Sequence, residues 1–186
     1  MPTVELLDAS QSVLVIIDMQ QRLLQAIPPQ PREKVLTHSE WLIISAKLLD
    51  IPVLATEQYP KGLGKTDENI SHLLSDTPVI EKTCFSCYAS APFAKQLSEL
   101  KRKQIVLCGI ETHVCVLQTA YELHAQGFHV FLVEDATASR TIQNHRNAIA
   151  RLASVNMTIS NVESVMFEWL RDANHSEFKT ISRLLK

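Results

Sequence analysis

Three residues of complementary chemistry stand at the ends of apolar runs. Cys115 closes the segment Val106-Leu107-Cys108-Gly109-Ile110-Glu111-Thr112-His113-Val114-Cys115, in which an apolar strand breaks at a glycine and a thiol follows where a helix begins. Backbone N–H groups at a helix start are unpaired and electropositive, so they stabilise a thiolate and the oxyanion formed when it attacks a carbonyl. Asp18 follows Val13-Leu14-Val15-Ile16-Ile17, and Lys82 follows Pro78-Val79-Ile80-Glu81. A thiol, an acid and an amine suffice for a hydrolase that works through a covalent intermediate. Taken singly, each has a plainer role: Asp18 as a helix N-cap, Lys82 as a solvated charge, and a cysteine near a glycine as a small buried hydrophobe, the reading retained for Cys108. Cys84-Phe85-Ser86-Cys87 has the spacing of a redox or zinc half-site, without a second ligand pair. His113 lies two residues before the thiol, a spacing that does not face it on a helix, so it is read as capping or lining the entrance.

The elements that position these groups alternate along the chain. Apolar runs predict strands at 13–17, 51–56, 78–81, 104–108, 129–134 and, more weakly, 157–159; helical patterning fills 33–49, 91–102, 113–126, 144–155 and 161–171, with a short helical stretch near 68–74. Continuous rather than alternating apolar runs are the mark of strands buried on both faces. The order βαβαβα therefore predicts an α/β fold, a three-layer α-β-α sandwich around a mostly parallel sheet of roughly six strands. Ser160-Asn161-Val162-Glu163 has capping-box spacing before the fifth helix, and Gly127 stands where the third should stop. In open sheets of this kind ligands bind beyond the carboxyl ends of the strands. Asp18, Glu57, Gln58, Lys82, Glu111 to Cys115 and Asp135 are all expected there, on one rim.

Composition narrows the functional classes. The 186 residues suit one domain, 1–186, with a sizeable core. A formal charge of −2 with scattered basic residues gives no footprint for nucleic acid, which points to a small-molecule partner. Apolar stretches are strand-sized and Met1-Pro2-Thr3-Val4-Glu5 lacks a basic-then-apolar run, so no membrane span or signal peptide is expected. Four cysteines are few for a disulfide framework, which suggests a reduced cytoplasmic protein. Only four glycines occur and none forms the G-x-G-x-x-G turn of a dinucleotide site. The C-terminal stretch Phe178 to Leu185 carries an apolar stripe that either closes the core or supports a homo-oligomer.

Three segments together, Val15-Ile16-Ile17-Asp18-Met19-Gln20, Glu81-Lys82-Thr83-Cys84-Phe85-Ser86 and Cys108 to Cys115, resemble the motifs of the isochorismatase-like cysteine hydrolases, in the family's order Asp, Lys, Cys and spaced 64 and 33 residues apart. Ala55-Thr56-Glu57-Gln58-Tyr59-Pro60-Lys61-Gly62-Leu63-Gly64 is similar to the second-strand loop of family members of unassigned substrate. The resemblance implies that Asp18 accepts the proton of Cys115, that Lys82 holds carboxylate and thiolate, that backbone N–H groups around Glu111 and Cys115 form the oxyanion hole, and that a cis peptide lies at Ile110–Glu111. It also implies frequent dimers or larger rings, and makes Asp135 a brace rather than a reacting group. Phe85, Tyr88, Gln58 and Thr112 are the expected substrate-binding residues. Nicotinamidases of the superfamily hold a metal with an aspartate and histidines after the second strand; here that loop reads Thr56-Glu57-Gln58-Tyr59 with no histidine before His72, so no metal and no cofactor is expected. Isochorismate cleavage breaks a vinyl ether and needs no acyl-enzyme, so the cysteine fits C–N hydrolysis of an amide, carbamoyl or ureido compound better. The competing readings are a vinyl-ether hydrolase, a non-catalytic binding or scaffold module that keeps the fold, and a redox protein using Cys84 and Cys87.

Overall fold

The computed structural model describes residues 5–186; residues 1–4, within the N-terminal segment read above for a signal peptide, lie outside the described residues. Six parallel strands form one sheet in the order β3-β2-β1-β4-β5-β6. They are β1 (Ser12–Ile17), β2 (Val53–Gln58), β3 (Val79–Lys82), β4 (Gln104–Ile110), β5 (His129–Ala138) and β6 (Thr158–Ser160). The helices are α1 (Gln21–Gln25), α2 (Pro29–Leu48), α3 (Pro60–Leu63), α4 (Glu68–Ser71), α5 (Ala91–Leu100), α6 (Leu117–Ala125), α7 (Ile142–Ser154), α8 (Val162–Leu170) and α9 (Phe178–Leu184). The chain is thus an α/β fold with helices over both faces of a wholly parallel sheet.

Strand periodicity sorts the core into two layers. Leu14 and Ile16 of β1, with Val106, Cys108 and Ile110 of β4, face α2, α8 and α9. Val13, Val15 and Ile17, with Ile105 and Leu107, face the opposite layer, which holds Phe93 and Leu97 of α5, Ala120 and Leu123 of α6, and Ala148 and Leu152 of α7. The central strands β1 and β4 are buried along their whole length, which is why they read as unbroken apolar runs. The apolar stripe of α9 turns inward: Ile181 is fully buried in the first layer, with Phe178 and Leu184 packed against it.

The observed ends refine the sequence expectation. The second strand begins later than expected and runs to Gln58, and the third runs to Lys82, so both residues belong to strands instead of following them. Strand β5 continues through Asp135 to Ala138, across a register shift between Leu107 and Gly109 of β4, so Asp135 lies inside a strand. Helix α8 is capped by Asn161, whose side chain accepts from the Ser164 N–H at 2.8 Å; Ser160, placed at the cap by the sequence reading, is the last residue of β6. The helix expected at 113–126 is in two pieces, a π-helical turn at Thr112–Val116 and then α6.

Candidate active site

Two backbone features bring the rim together. Asp18 leaves β1 in the left-handed region, φ 51°, a conformation that aspartate tolerates better than most residues, and Gln20 N donates to Asp18 O at 2.7 Å to close the turn. Gly109 of β4 stands opposite Ile17 with φ +116°, and a Cβ there would lie 2.2 Å from the Ile17 carbonyl oxygen. Only glycine lets β1 and β4 approach so closely, and that approach sets Asp18 beside the turn that carries Cys115.

Asp18 and Lys82 form a fully buried ion pair, Nζ to Oδ2 2.8 Å. Thr56 of β2 donates its hydroxyl to the other carboxylate oxygen, Oδ1, at 2.7 Å. The ammonium has further acceptors in Gln58 Oε1 at 2.7 Å, the Phe85 carbonyl at 3.1 Å and the Cys84 carbonyl at 3.3 Å, enough to occupy its three N–H groups. Burial works against the Lys82 charge, but Asp18, and behind it the Cys87 and Cys115 sulfurs, more than offset this and hold the ammonium above the ordinary lysine range.

Cys115 is 5% exposed, the fourth residue of the π-helical turn, with its Sγ 3.9 Å from Gln58 Oε1. Sequence reasoning placed the thiol at a helix start, whose amides favour a thiolate; the structure sets it within a π-helical turn, where burial and neighbouring charge act the other way. Burial pushes the thiol up, the negative Asp18 pushes it the same way by its charge and as a hydrogen-bond partner, and Lys82 opposes only in part. Cys87 is a second thiol of this neighbourhood, fully buried and 3.6 Å from Thr56 Oγ1, and burial followed by the charge of Asp18 pushes it up to about 12. All four cysteines are free, so Cys84 and Cys87 are not a disulfide, and Cys108 is a fully buried core thiol. Among the described residues no group of three or more His, Cys, Asp and Glu is placed to hold a metal ion.

The remaining expected residues divide. The Ile110–Glu111 peptide is cis. The Glu111 carboxylate turns away from the thiol to Arg140, which donates from Nη2 at 2.6 Å and from its own backbone N–H at 2.9 Å. Burial raises the Glu111 carboxyl, but the Arg140 hydrogen bonds and charge outweigh it and hold it below the ordinary range. Thr112 is fully buried, its hydroxyl 3.0 Å from His145 Nδ1. Gln58 is buried within the ion-pair network, its Nε2 donating to the Thr83 carbonyl at 2.7 Å. Phe85 is 53% exposed on the rim, as is Tyr59 at the same figure. Tyr88 instead sets its ring edge-on against Phe128, which immediately precedes β5 and so lies at the amino edge of the sheet. Both ring nitrogens of His113 have partners away from the thiol: Asn144 Nδ2 lies 3.3 Å from its Nε2 and Ser139 Oγ 3.0 Å from its Nδ1. Asp135 ties strand to helix, accepting from the Val162 N–H at the start of α8 at 2.9 Å with His38 Nδ1 of α2 at 3.2 Å from its other oxygen. Beside the end of β3 a cavity of about 460 Å³ is lined by Tyr59, Lys61, Glu81, Lys82, Thr83 and Cys84.

Two residues escaped the sequence reading. Thr56 looked like an ordinary β-branched strand residue, and Arg140 is 29 residues from the glutamate it holds, beyond any local pattern.

The geometry has relatives. The Isochorismatase domain model matches residues 12–164. A secreted isochorismatase effector Isc1 of Phytophthora sojae is 38% identical over 94% of this chain and 84% of its own length. Isochorismatase domain-containing protein 1 of Danio rerio is 37% identical over 97% of this chain and 62% of its own length, and protein 2A of Mus musculus 34% identical over 94% and 82%. Among solved structures, the MAR1 ribonuclease of Caenorhabditis elegans superposes with a TM-score of 0.90 at 32% identity, covering 97% of this chain and 92% of that one. The YcaC gene product of Escherichia coli, described as an octameric hydrolase of unknown specificity, gives a TM-score of 0.91 over 100% of this chain and 91% of that one at 24% identity, a likeness of fold alone. With the domain model covering the sheet from β1 through β6 and every segment that carries Asp18, Lys82 and Cys115, the chain belongs to the isochorismatase family.

Proposed function

We propose that the protein is a metal-independent cysteine hydrolase that cleaves the C–N bond of a small amide, carbamoyl or ureido compound through an acyl-enzyme on Cys115. The observation that carries this is the fully buried Asp18–Lys82 pair beside an almost fully buried thiol. Two opposite charges withdrawn from water at a strand edge are costly to keep, and a proton acceptor beside a nucleophile gives them a use. In the proposed cycle the S–H proton passes to Asp18 as sulfur bonds to the carbonyl carbon. Backbone N–H groups of Glu111 and Cys115 receive the oxyanion, and the C–N bond breaks as the amine leaves with that proton. Water, deprotonated by Asp18, then releases the acid. Lys82 spends its N–H groups on protein acceptors and so orients Asp18 without touching substrate.

Tyr59, which lines the cavity beside β3, and the exposed Phe85 are assigned as apolar walls of the mouth. A homo-oligomer is part of the proposal: a structural neighbour is described as octameric, and Phe85, Tyr59 and Ile142 expose large apolar surface on this rim. The ribonuclease name of the nematode neighbour is not carried over, because 18 basic against 20 acidic residues leave no counterion-releasing surface for a polyanion. Free thiols throughout support a reducing, cytoplasmic setting.

The test is a panel of small amides, carbamoyl compounds and ureido acids screened for ammonia release, with intact-mass detection of an adduct on Cys115 during turnover. Turnover that is abolished in Cys115→Ala and unaffected by chelators is expected. Substantial turnover by Cys115→Ala on a confirmed substrate refutes the acyl-enzyme and leaves attack by water assisted by Asp18, the route open to vinyl-ether cleavage.

A further inference from the structure

We propose that Gln58 is a positioning residue that holds the Cys115 thiol protonated and quiescent at rest. The inference rests on reading Cys115 as the nucleophile and concerns what restrains it.

The orientation of the Gln58 amide is fixed by its neighbours. Lys82 can only donate and faces the amide oxygen at 2.7 Å; the Thr83 carbonyl can only accept and faces the amide nitrogen at 2.7 Å. The backbone is pinned as well, since Gln58 N donates to Gln20 Oε1 at 2.7 Å and Gln20 Nε2 donates to Gln58 O at 3.0 Å. Strand register sets the rest: Gln58 pairs with Lys82 of β3 on one side, while Thr56, two residues earlier and on the same face, stands opposite Ile17 and reaches Asp18.

One oxygen therefore serves two donors. It takes an N–H of Lys82 and is an acceptor for the Cys115 S–H at 3.9 Å, a thiol that Asp18 also hydrogen-bonds. Both contacts favour the protonated sulfur. An acceptor stabilises S–H over a thiolate, and an ammonium whose N–H groups are committed to Asp18, Gln58 and the Phe85 and Cys84 carbonyls has none to give to sulfur. The charged and titratable groups bearing on the sulfur are Asp18 from the end of β1, Lys82 from β3 and Cys87 from the loop that follows it. Those of the other packed elements are engaged elsewhere: Glu111 with Arg140, His113 with Ser139 and Asn144, and His145 with Thr112.

Truncating the amide should release the restraint, and charging it should tighten it. In Gln58→Leu the S–H loses one of its two acceptors, while Lys82 keeps Asp18 and the Phe85 and Cys84 carbonyls for its three N–H groups. In Gln58→Glu a negative charge stands beside the sulfur. The experiment measures alkylation of Cys115 by iodoacetamide, located by peptide mass, between pH 6 and 10 in both variants and in the unaltered protein, with folding checked by circular dichroism. Loss of one hydrogen bond of about 1.4 kcal/mol corresponds to roughly one pH unit in the thiol, so Gln58→Leu should react about tenfold faster at pH 7, with its pH profile moved to lower pH. Gln58→Glu should react more slowly, with the profile moved up. Opposite signs are the signature, because a merely structural role would move both variants the same way. Should Gln58→Leu fail to fold, Gln58→Asn, which withdraws the same oxygen by one methylene, is expected to react faster than the unaltered protein. Equal Cys115 labelling in all proteins, or slowing in both variants, overturns the role of Gln58 alone. Failure of Cys115 to label in any of them overturns the nucleophile reading with it.

Discussion

Replacing Lys82 by methionine tests the buried pair most directly. The lysine and Asp18 side chains are fully buried and 2.8 Å apart, and the same ammonium also satisfies Gln58 Oε1 and two backbone carbonyls. Methionine fills much the same volume with no donor, so the variant keeps its packing and leaves a buried carboxylate with only neutral partners, the Thr56 hydroxyl and the Cys115 thiol. Breaking a buried pair from one side typically costs about 3–5 kcal/mol. At roughly 2–4 °C per kcal/mol for a chain of this size, the midpoint of thermal unfolding should fall by about 6–20 °C. Differential scanning calorimetry at neutral pH measures it. The double variant Asp18→Asn/Lys82→Met removes the stranded charge and should melt above Lys82→Met, although neither protein should hydrolyse substrate. A Lys82→Met protein that melts within about 2 °C of the unaltered one, or a double variant that loses the sum of both single effects, would show that the pair is not held in the dry environment described.

Asp18→Asn keeps the carboxylate shape without its basicity, so turnover should drop by about 10²–10⁴-fold on whatever substrate the panel identifies. Gly109→Ala places a methyl 2.2 Å from the Ile17 carbonyl at φ +116°; adding about 1–2 kcal/mol of backbone strain to about 1–3 of overpacking gives a midpoint lower by roughly 4–20 °C, read by calorimetry. Glu111 titrates below its ordinary value when folded, so its stabilising effect is present above pH 4.5 and is lost as pH falls through the folded value. Urea midpoints taken between pH 6 and 3 should therefore fall less in Arg140→Ala, and an unchanged fall would refute the pairing. At the other extreme, Cys87 and Cys108 are held up to about 12 and Cys115 is also raised, so all three stay neutral when folded while the unfolded thiols ionise near pH 9. Each should make stability fall by about 1.4 kcal/mol per pH unit above that point, and Cys108→Ala should visibly flatten the loss.

What the sequence revealed follows the range of the interactions involved. β1 and β4 are buried on both faces by contacts that any apolar side chain can make, so their runs are visible one residue at a time. Gly109 was read as the point where the strand breaks, but β4 runs through it to Ile110, and its role is the close approach to Ile17. The two-piece helix at 112–125 was not visible: a π-helical turn differs from an α-helical one by a shift in hydrogen-bond partner, while the burial of Thr112, Cys115 and Val116 still looks helical. Asp18, Lys82 and Cys115 were found as types at strand ends, but the residues that hold them were not. Thr56 acts through a hydroxyl that strand propensity treats as neutral, and Gln58 looked like a loop residue that could reach substrate because the strand was ended too early. Tyr88 was expected in the pocket as an aromatic after a strand, and its ring stands edge-on to Phe128.

A thiol that burial and a neighbouring carboxylate push toward the protonated form is at first sight a poor nucleophile, and in the proposed cycle the order of events resolves this. A thiolate formed in advance would need a free cation, and Lys82 is already neutralised by Asp18 with its other N–H groups committed. The carboxylate can instead take the proton as the carbon–sulfur bond forms, so that charge moves from Asp18 to the substrate oxygen without a full negative charge ever resting on sulfur in a dry cavity. In the proposed cycle a bound substrate would exclude water and so weaken screening where the oxyanion forms beside the Glu111 and Cys115 amides. The same arrangement leaves the resting sulfur unreactive toward oxidants and adventitious electrophiles, which attack the thiolate. On this account the buried pair does not activate Cys115 in the free protein; it keeps a base of fixed orientation within reach until a carbonyl arrives to receive the charge.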